Sequence, residues 1–244
     1  MCTVSWSPLR SPAGAGYRLF FNRDERRTRL PGLPPRLETE TGIRFLAPRD
    51  GEAGGTWVAV NEYGLTAGLL NLYQAQASLP PALGKISRGL LVRALAPAKD
   101  FAAAAALLER RDLAAYQPFT LVIAEAGGTV RCYDWDGRTP GAWQEAAPPI
   151  VSSGQDVAGA TASRRALFAS SGPPAELGFE QLLEFHRSHL PAKGVYSPCM
   201  HRPDAKTVSL TAIEVTPEKV TLAYAGGSPC VTALAAPVEL ARTA

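Results

Sequence analysis

The sequence predicts an α+β fold in which antiparallel hairpins of strands alternate with groups of helices. The stretch GGTWVAVNEYGLTAGLLN is typical of a strand, a tight turn and a second strand, with the turn at residues 61–64. A second hairpin is indicated where residues 119–125 and 129–135 flank Ala-Gly-Gly. Asp100 is a good helix N-cap, and the strong helix formers of FAAAAALLERR follow it. The order of strands, helices, strands, helices and strands contains no repeating βαβ units and therefore favours antiparallel sheets.

The composition is that of an ordinary globular protein. A hydrophobic fraction of 46% and a charged fraction of 19% over 244 residues allow a sizeable core, and we predict one domain over residues 1–244. A net charge of +3 with scattered arginines argues against nucleic acid or a membrane surface as partner. No apolar run approaches the roughly 18 residues of a membrane span, and the N-terminus lacks a secretory signal. Four cysteines without a C-x-x-C pair favour a cytoplasmic chain with reduced thiols.

The remaining elements follow from local patterns. Strands are predicted over 2–6 and 17–21, with the Pro- and Gly-rich PLRSPAGAG as their turn, and residues 30–53 are predicted to be an extended loop. The remaining helices are expected over 87–95, 160–170 and 178–189. The chain is expected to close with strands over 207–216, 219–225 and 230–235.

The first two strands bring a cysteine and an Asn-Arg-Asp-Glu segment towards each other. If residues 2–6 and 17–22 pair in antiparallel fashion, opposing residue numbers sum to about 24, and Cys2 lies opposite Asn22. A slip of one or two positions still leaves Arg23 and Asp24 within side-chain reach of Cys2. The sequence thus predicts that these residues are neighbours, without fixing their register.

Cys2 has the chemistry of an N-terminal nucleophile. Methionine aminopeptidase removes Met1 when a small residue follows it, which leaves a thiol and a free α-amine on one residue. Their reference pKa values, about 8.5 and about 7.7–8.0, allow the amine to act as base for its own thiol. Arg23 would lower the thiol pKa and hold a substrate carbonyl or carboxylate, and Asp24 would position the α-ammonium group. The plainer interpretation is a small buried cysteine followed by a surface Arg-Asp pair.

Several motifs give the sequence a specific resemblance to a known family. MCTVSW, FNRDE, GGTWVAVNEYGLTAGLLN, RGLLVRAL and CMHRPDAKTVSLTAIEV resemble the NRDE family, which includes transport and Golgi organization protein 2. The motif that names the family is residues 22–25, and the resemblance covers most of the chain. It implies an Ntn-hydrolase fold, which is a four-layer αββα sandwich with two central antiparallel sheets.

The resemblance also implies roles for individual residues. Choloylglycine hydrolases and penicillin V acylases, which are similar in fold, use an N-terminal cysteine to cleave amide bonds. By this resemblance Cys2 is the nucleophile, Arg23 is the partner of thiol and substrate, and Asp24 orients the amine. In those amidases the Arg and Asp are separated along the chain, whereas here they are adjacent.

Further candidates surround these residues. Asn71 ends the strand TAGLLN, where its amide suits either a turn cap or, by resemblance to Ntn amidases, an oxyanion hole. We assign substrate-binding roles to Asn22, Trp57 and His201. The glycine pair at 54–55 suits a positive φ angle or a close backbone approach at the rim of a site, and equally an ordinary turn.

Three histidines and a cysteine lie close together in the sequence. His186 and His189 are expected on one helix face, and with Cys199 and His201 they could supply four zinc ligands. Because Cys-x-His is an uncommon ligand spacing, the sequence favours no metal site. The arginine pair at 164–165 is expected on a solvated helix face, and a role in binding an anionic substrate has only weak support.

The sequence and the resemblance together predict a cytoplasmic Ntn-type cysteine amidohydrolase. It would cleave a small amide or N-acyl substrate through a thioester at Cys2, without a metal or organic cofactor. The alternative is a non-catalytic protein on the same fold that handles haem or lipid, as members of the resembled family have been associated with both. Cys2 would then anchor the ligand or act as a haem thiolate. Pro198 precedes Cys199 rather than following it, and the lack of a Cys-Pro pair disfavours haem.

Overall fold

The computed structural model describes residues 2–11, 14–77 and 86–243. Within these residues the strands are β1 (Cys2–Ser11), β2 (Gly14–Arg26), β3 (Leu33–Glu40), β4 (Ile43–Arg49), β5 (Val58–Asn61), β6 (Thr66–Asn71), β7 (Phe119–Ala124), β8 (Val130–Trp135), β9 (Gln144–Glu145), β10 (Ile150–Ser152), β11 (Ala205–Val215), β12 (Lys219–Ala225) and β13 (Val238–Ala241). The α-helices are α1 (Tyr73–Gln76), α2 (Arg88–Leu95), α3 (Phe101–Glu109), α4 (Val157–Ser170) and α5 (Phe179–Arg187). Single 3₁₀ turns lie at Leu113–Ala115 and Pro174–Glu176. In this part of the chain no helix is long and apolar enough to cross a membrane.

The strands form two antiparallel sheets. One has six strands in the order β10-β1-β2-β11-β12-β13, so strands from both ends of the chain lie side by side. The other has seven strands in the order β3-β4-β5-β6-β7-β8-β9, which follows the chain. The predicted antiparallel pairing, including the hairpins β5–β6 and β7–β8, is therefore confirmed.

The two sheets pack face to face, and helices cover their outer faces. Val4 and Phe21 of the first sheet share a buried cluster with Val58 and Leu70 of the second. The outer face of the second sheet buries apolar side chains of α2 and α3. The outer face of the first sheet buries side chains of α4 and α5. This arrangement is the four-layer αββα sandwich that the resemblance predicts.

Local capping fixes several element ends where the sequence placed them. The Asp100 carboxylate accepts a hydrogen bond from the Ala103 N–H at 2.7 Å, and α3 begins directly after it. Asn61 closes the turn between β5 and β6, because its side-chain oxygen accepts from the backbone N–H groups of Tyr63 and Leu65. Such signals are local, which is why they can be recognised in the sequence.

Three predictions of element boundaries are wrong. Residues 30–53 contain the hairpin β3–β4 instead of a loop; β3 is an edge strand with mostly exposed side chains, where its prolines and charges are tolerated. Residues 8–11 and 14–16 of the predicted turn belong to β1 and β2, since Pro8 still pairs with Tyr17, and residues 12–13 lie outside the described residues. The last strand is Val238–Ala241, whereas 230–235 forms a turn with Val231 84% exposed.

Glycines allow helix α2 to approach the start of β5 closely. Gly54 has φ +68°, and the Thr56 N–H donates to the Gly89 carbonyl at 3.0 Å. A Cβ at Gly55 would lie 2.7 Å from the backbone nitrogen of Leu90. The glycine pair thus provides both the positive φ and the close approach that the sequence suggested, and it joins α2 to the segment before β5.

We expect Gly55→Ala to destabilise the protein by about 1–3 kcal/mol, because the added methyl group collides with backbone atoms that cannot move independently. Urea unfolding measures this change. Gly127→Ala is the control: a Cβ there meets no atom within 4 Å, and the loss should stay below about 0.5 kcal/mol. Equal stabilities of the two variants would contradict the proposed contact.

Candidate active site

The pairing of β1 with β2 brings Cys2 to Arg23. The two residues are direct partners in the antiparallel ladder, and Ser152 of β10 pairs with Cys2 on the other side. The observed register is shifted by one residue from the predicted pairing of Cys2 with Asn22, and Thr3 takes that place instead. The predicted neighbourhood is confirmed, with Arg23 rather than Asn22 opposite the thiol.

Cys2 lines a cavity of about 350 Å³ between the ends of the two sheets. Arg23, Trp57, Asn71 and Arg88 also line it. Cys2 is only 8% exposed, so its thiol faces a confined space. A second cavity of about 540 Å³ shares Asn71 and Arg88 with the first and extends towards the segment after β10.

Arg23 is held in place by a carboxylate and an aromatic ring. Its Nη2 donates to Asp50 Oδ2 at 2.6 Å, and its guanidinium carbon lies 4.4 Å from the centre of the Trp57 ring. Trp57 also lines the cavity, and it supports Arg23 from one face. Arg23 has little freedom to reorient.

Asp50 is the centre of a charged network that the sequence did not indicate. It accepts hydrogen bonds from Arg23, from Arg29 at 3.0 Å, and from the backbone N–H groups of Glu52 and Ala53. Burial by itself would raise the pKa of Asp50, but the Ala53 N–H and the two guanidinium groups lower it overall. Asp50 therefore stays ionised and balances the charge of Arg23.

Asp24 belongs to a different network, on the helix side of β2. Its Oδ1 accepts from the Thr207 hydroxyl at 2.6 Å, and its Oδ2 lies 3.8 Å from Nη2 of Arg164. Burial raises the pKa of Asp24, and the charge of Arg164 opposes that rise.

Arg164 is wholly buried, which contradicts its predicted position on a solvated face. It donates to Thr3 Oγ1 and to the Val195 carbonyl, the latter at 3.0 Å. Only Arg165 is exposed. Helix periodicity could have revealed this, since Arg164 lies on the same buried face of α4 as Ala160 and Phe168.

The pKa of the Cys2 thiol is raised from its ordinary value. Burial is the main cause, and the Asp24 carboxylate adds to it. The backbone N–H of Asp24 and the guanidinium of Arg23 act in the opposite direction. A base is therefore needed to form the thiolate near neutral pH.

Asn71 and Arg88 complete the wall of the cavity near Cys2, and Tyr73 lines the second cavity beside it. The Asn71 side-chain N–H donates to the Tyr73 hydroxyl at 2.9 Å. Arg88 donates to the Pro118 carbonyl at 2.8 Å, and no carboxylate of the described residues lies at ion-pair distance from it. Sequence reasoning missed Tyr73 and Arg88. A signal existed for Arg88, because a cation at the first residue of a helix is electrostatically unfavourable and suggests another role.

The structure places two predicted substrate-binding residues away from the cavity around Cys2. Asn22 points to the helix side, where its amide donates to the carbonyls of His186 and Pro198, both at 2.9 Å. Strand alternation explains this, since Asn22 and Arg23 are consecutive and lie on opposite faces. His201 contacts Cys199 and Cys230 instead of lining this cavity.

The predicted group of three histidines and Cys199 is only partly assembled. His186 is separate: it hydrogen-bonds Ser5 Oγ at 2.8 Å, and burial lowers its pKa to about 3. It does not share a helix face with His189, because α5 ends at Arg187, ahead of Pro191. Cys230 takes its place near His189, Cys199 and His201.

We expect Arg164→Leu to cost about 3–5 kcal/mol of unfolding free energy at neutral pH, because it removes the positive charge that most strongly offsets the burial of the Asp24 carboxylate. Urea unfolding of this variant and of Arg165→Leu, the exposed neighbour, tests the assignment. The control should change stability by less than about 0.5 kcal/mol.

The loss of unfolding free energy in Arg164→Leu, relative to wild type, should become smaller as the pH falls. Burial raises the folded-state pKa of Asp24, so the folded protein binds this proton more readily than the unfolded chain does. Without the Arg164 charge the folded-state pKa of Asp24 rises further, so the variant regains stability relative to wild type as the pH falls. A deficit that is constant with pH would assign the loss to packing instead of charge.

The fold is shared with solved amidases. The Caenorhabditis elegans N-acylethanolamine-hydrolyzing acid amidase ortholog matches with a TM-score of 0.54 and 12% identity, covering 87% of this chain and 92% of that chain. Two variants of conjugated bile acid hydrolase from Clostridium perfringens match with TM-scores of 0.52 and 0.57 at 10% identity. They cover 92% and 99% of this chain and 89% and 92% of theirs. At these identities the likeness shows the fold, which is of Ntn-hydrolase type.

Sequence comparison assigns the family. A search of curated proteins gives no significant match. Residues 1–155, well over half of the chain, match the model of the family described as Transport and Golgi organisation 2, which confirms the resemblance carried by FNRDE and GGTW. The protein is therefore a member of the Transport and Golgi organisation 2 family.

Proposed function

We propose that this protein is an N-terminal-nucleophile amidohydrolase that cleaves a small amide or N-acyl substrate. The observation that carries the proposal is the place of Cys2. It begins β1 directly opposite Arg23, and it lines a cavity of about 350 Å³ with Asn71 and Arg88. The amidases named above share the fold and support the reaction class, although what they act on is a property of those proteins.

Because the pKa of the Cys2 thiol is raised, the proposed reaction needs a base. A buried thiol is protonated near neutral pH, so it must lose its proton to a base as it attacks. We assign this role to the α-amine that Cys2 carries once Met1 is removed; Met1 lies outside the described residues. The sequence assigns Asp24 to orient the ammonium group. Asp24 follows Arg23 in the strand, accepts a hydrogen bond from Thr207 and forms an ion pair with Arg164.

The proposed reaction has two balanced steps. Cys2 Sγ bonds to the substrate carbonyl carbon while its proton passes to the α-amine, and the tetrahedral intermediate then expels the substrate amine, which takes that proton. The product is a thioester at Cys2. In the second step the α-amine removes a proton from water, the water oxygen bonds to the thioester carbon, and the proton returns to the sulfur as the acid leaves. As written, the reaction uses no metal or organic cofactor.

Charge on the attacked carbonyl oxygen would be stabilised by Asn71 and Arg88. The Asn71 amide donates one N–H to Tyr73, and its second N–H is the donor we assign to the oxyanion. Arg88 offers a positive charge that no described carboxylate neutralises at ion-pair distance. Arg23 is bound to Asp50, so we assign it to lowering the thiol pKa and positioning the substrate.

Intact-protein mass spectrometry tests the nucleophile. Wild type is expected to lack Met1 and to take one label from an acylating electrophile at Cys2. Cys2→Ala keeps a small second residue, so it should also lose Met1 but take no label and release no amine from a panel of N-acyl substrates. Cys132→Ser, which removes a partly exposed thiol of β8, is the matched control and should behave as wild type.

Retention of Met1 together with an unreactive Cys2 would overturn the hydrolase proposal. Equal labelling of wild type and Cys2→Ala would also overturn it. Tight haem or lipid binding by a protein with unprocessed Met1 would instead favour the non-catalytic alternative on the same fold.

We expect Arg23→Gln to alkylate at Cys2 about three- to tenfold more slowly than wild type at pH 8. The loss of the positive charge raises the thiol pKa, and each unit of pKa lowers the thiolate fraction tenfold. Rates of iodoacetamide labelling followed by peptide mapping measure the change. Arg23→Lys keeps the charge and should retain most of the rate.

The control for Arg23→Gln is Arg18→Gln, on the same strand. Arg18 pairs with Glu214 at 2.6 Å and does not line the cavity, so its loss should leave the rate unchanged. If both variants slow equally, the effect belongs to the strand and not to the charge beside Cys2.

A further inference from the structure

Three separate segments bring two cysteines and two histidines together beyond the end of α5. His189 lies two residues after that helix, Cys199 and His201 lie in the segment that leads to β11, and Cys230 lies in the turn after β12. One ligand-type atom from each residue lies within 4.8 Å of the other three. Cys199 is buried and the others are partly buried, so the cluster is enclosed but reachable from solvent.

The distances within the cluster suit a tetrahedral ion. Nε2 of His201 lies 3.5 Å from Cys199 Sγ and 3.4 Å from Cys230 Sγ. Zinc bonds of about 2.3 Å to sulfur and 2.0–2.1 Å to nitrogen at tetrahedral angles place sulfur and nitrogen roughly 3.5 Å apart. These two separations match tetrahedral zinc, and the other separations between ligand atoms of the cluster all lie within 4.8 Å.

Hydrogen bonding alone does not satisfy the two histidines. A ring nitrogen has one in-plane site, so Nε2 of His201 cannot bond to both thiols at once. Nε2 of His189 is buried and has no hydrogen-bond partner among the described residues. A metal ion bonded to all four side chains would satisfy both histidines and both sulfurs.

We propose that His189, Cys199, His201 and Cys230 form a structural zinc site. Two thiolates and two neutral imidazoles are a common ligand set of structural zinc, and soft sulfur ligands disfavour magnesium and calcium. All four positions are taken by protein, so the site has no open coordination position for catalysis. The sequence missed it because Cys230 lies far from the other ligands along the chain, and His186 was assigned in its place.

The position of the cluster indicates what the ion would stabilise. The segment 188–204 has little regular structure, yet its Pro198 carbonyl accepts from Asn22, and its Met200 N–H donates to Thr207 Oγ1. Thr207 in turn holds Asp24. Zinc would join this segment to the end of α5 and to the turn after β12.

Metal analysis of untagged protein, purified with a reductant and supplied with zinc, tests the proposal. We expect one zinc per chain by mass spectrometry of the metal content. Cys230→Ser and His201→Asn should bind zinc at least about tenfold more weakly, since even the loss of a residue that only orients a zinc ligand costs that much in known sites. Cys132→Ser is the matched control and should keep its zinc; Cys230→His retains a ligand and should also keep it.

Cobalt substitution reports the coordination geometry of the metal, and this signal does not depend on how much of the protein folds. Metal-free wild type titrated with Co²⁺ should develop intense tetrahedral d–d absorption and a thiolate-to-cobalt charge-transfer band, both weakened in Cys230→Ser. Chelator should lower the Tm of wild type but not that of Cys230→Ser. Three results would each overturn the proposal: no stoichiometric zinc in the wild type, equal zinc in Cys230→Ser and Cys132→Ser, or a Cys199–Cys230 disulfide in protein kept in reductant.

Discussion

The alternation of side chains along β2 is the constraint on which the site depends. β2 lies between β1 and β11 in the first sheet, so both of its edges are paired, and the second sheet and the helices cover its two faces. Phe20 packs towards the helices and Phe21 packs between the sheets. The same alternation continues into the family motif, where Arg23 meets Trp57 and Asp50 on one side and Asp24 meets Thr207 and Arg164 on the other. Adjacent opposite charges thus serve two networks and do not neutralise each other.

Each of these networks contains a buried charge that would destabilise the folded protein if it had no partner. A buried ion pair contributes little net stability, but removing one partner leaves the other charge desolvated. The charges of Arg23 and Asp24 are therefore fixed by their partners, Asp50 and Arg164, which lie outside the motif in sequence. The roles of Arg23 and Asp24 therefore cannot be assigned from the motif alone, because they depend on Asp50 and Arg164. This explains why Arg23, although opposite Cys2, has little freedom to reorient.

Local signals predicted the parts of the fold that depend on local interactions. The Asn61 turn, the Asp100 cap and the β7–β8 hairpin each depend on residues within a few positions of one another. The β1–β2 register was missed by one residue, because both strands extend into a Pro- and Gly-rich stretch that resembles a turn. Cys230 was missed for another reason, because its partners lie on other elements. Arg164 was missed although its helical spacing from Ala160 and Phe168 indicates a buried face, and its partners also lie on other elements.

The two proposals meet at Thr207. Its hydroxyl donates to Asp24 and accepts from the Met200 N–H, so one side chain touches both the carboxylate beside Cys2 and the segment that carries Cys199 and His201. A β-bulge lies at this point of β11, where the ladder to β2 shifts register between Thr207 and Ser209. Bulges re-aim side chains, and this one lets Thr207 reach Asp24. A segment with little regular structure would hold such a contact poorly by itself. Anchoring it through side-chain bonds to a shared ion would supply the rigidity that the backbone there does not.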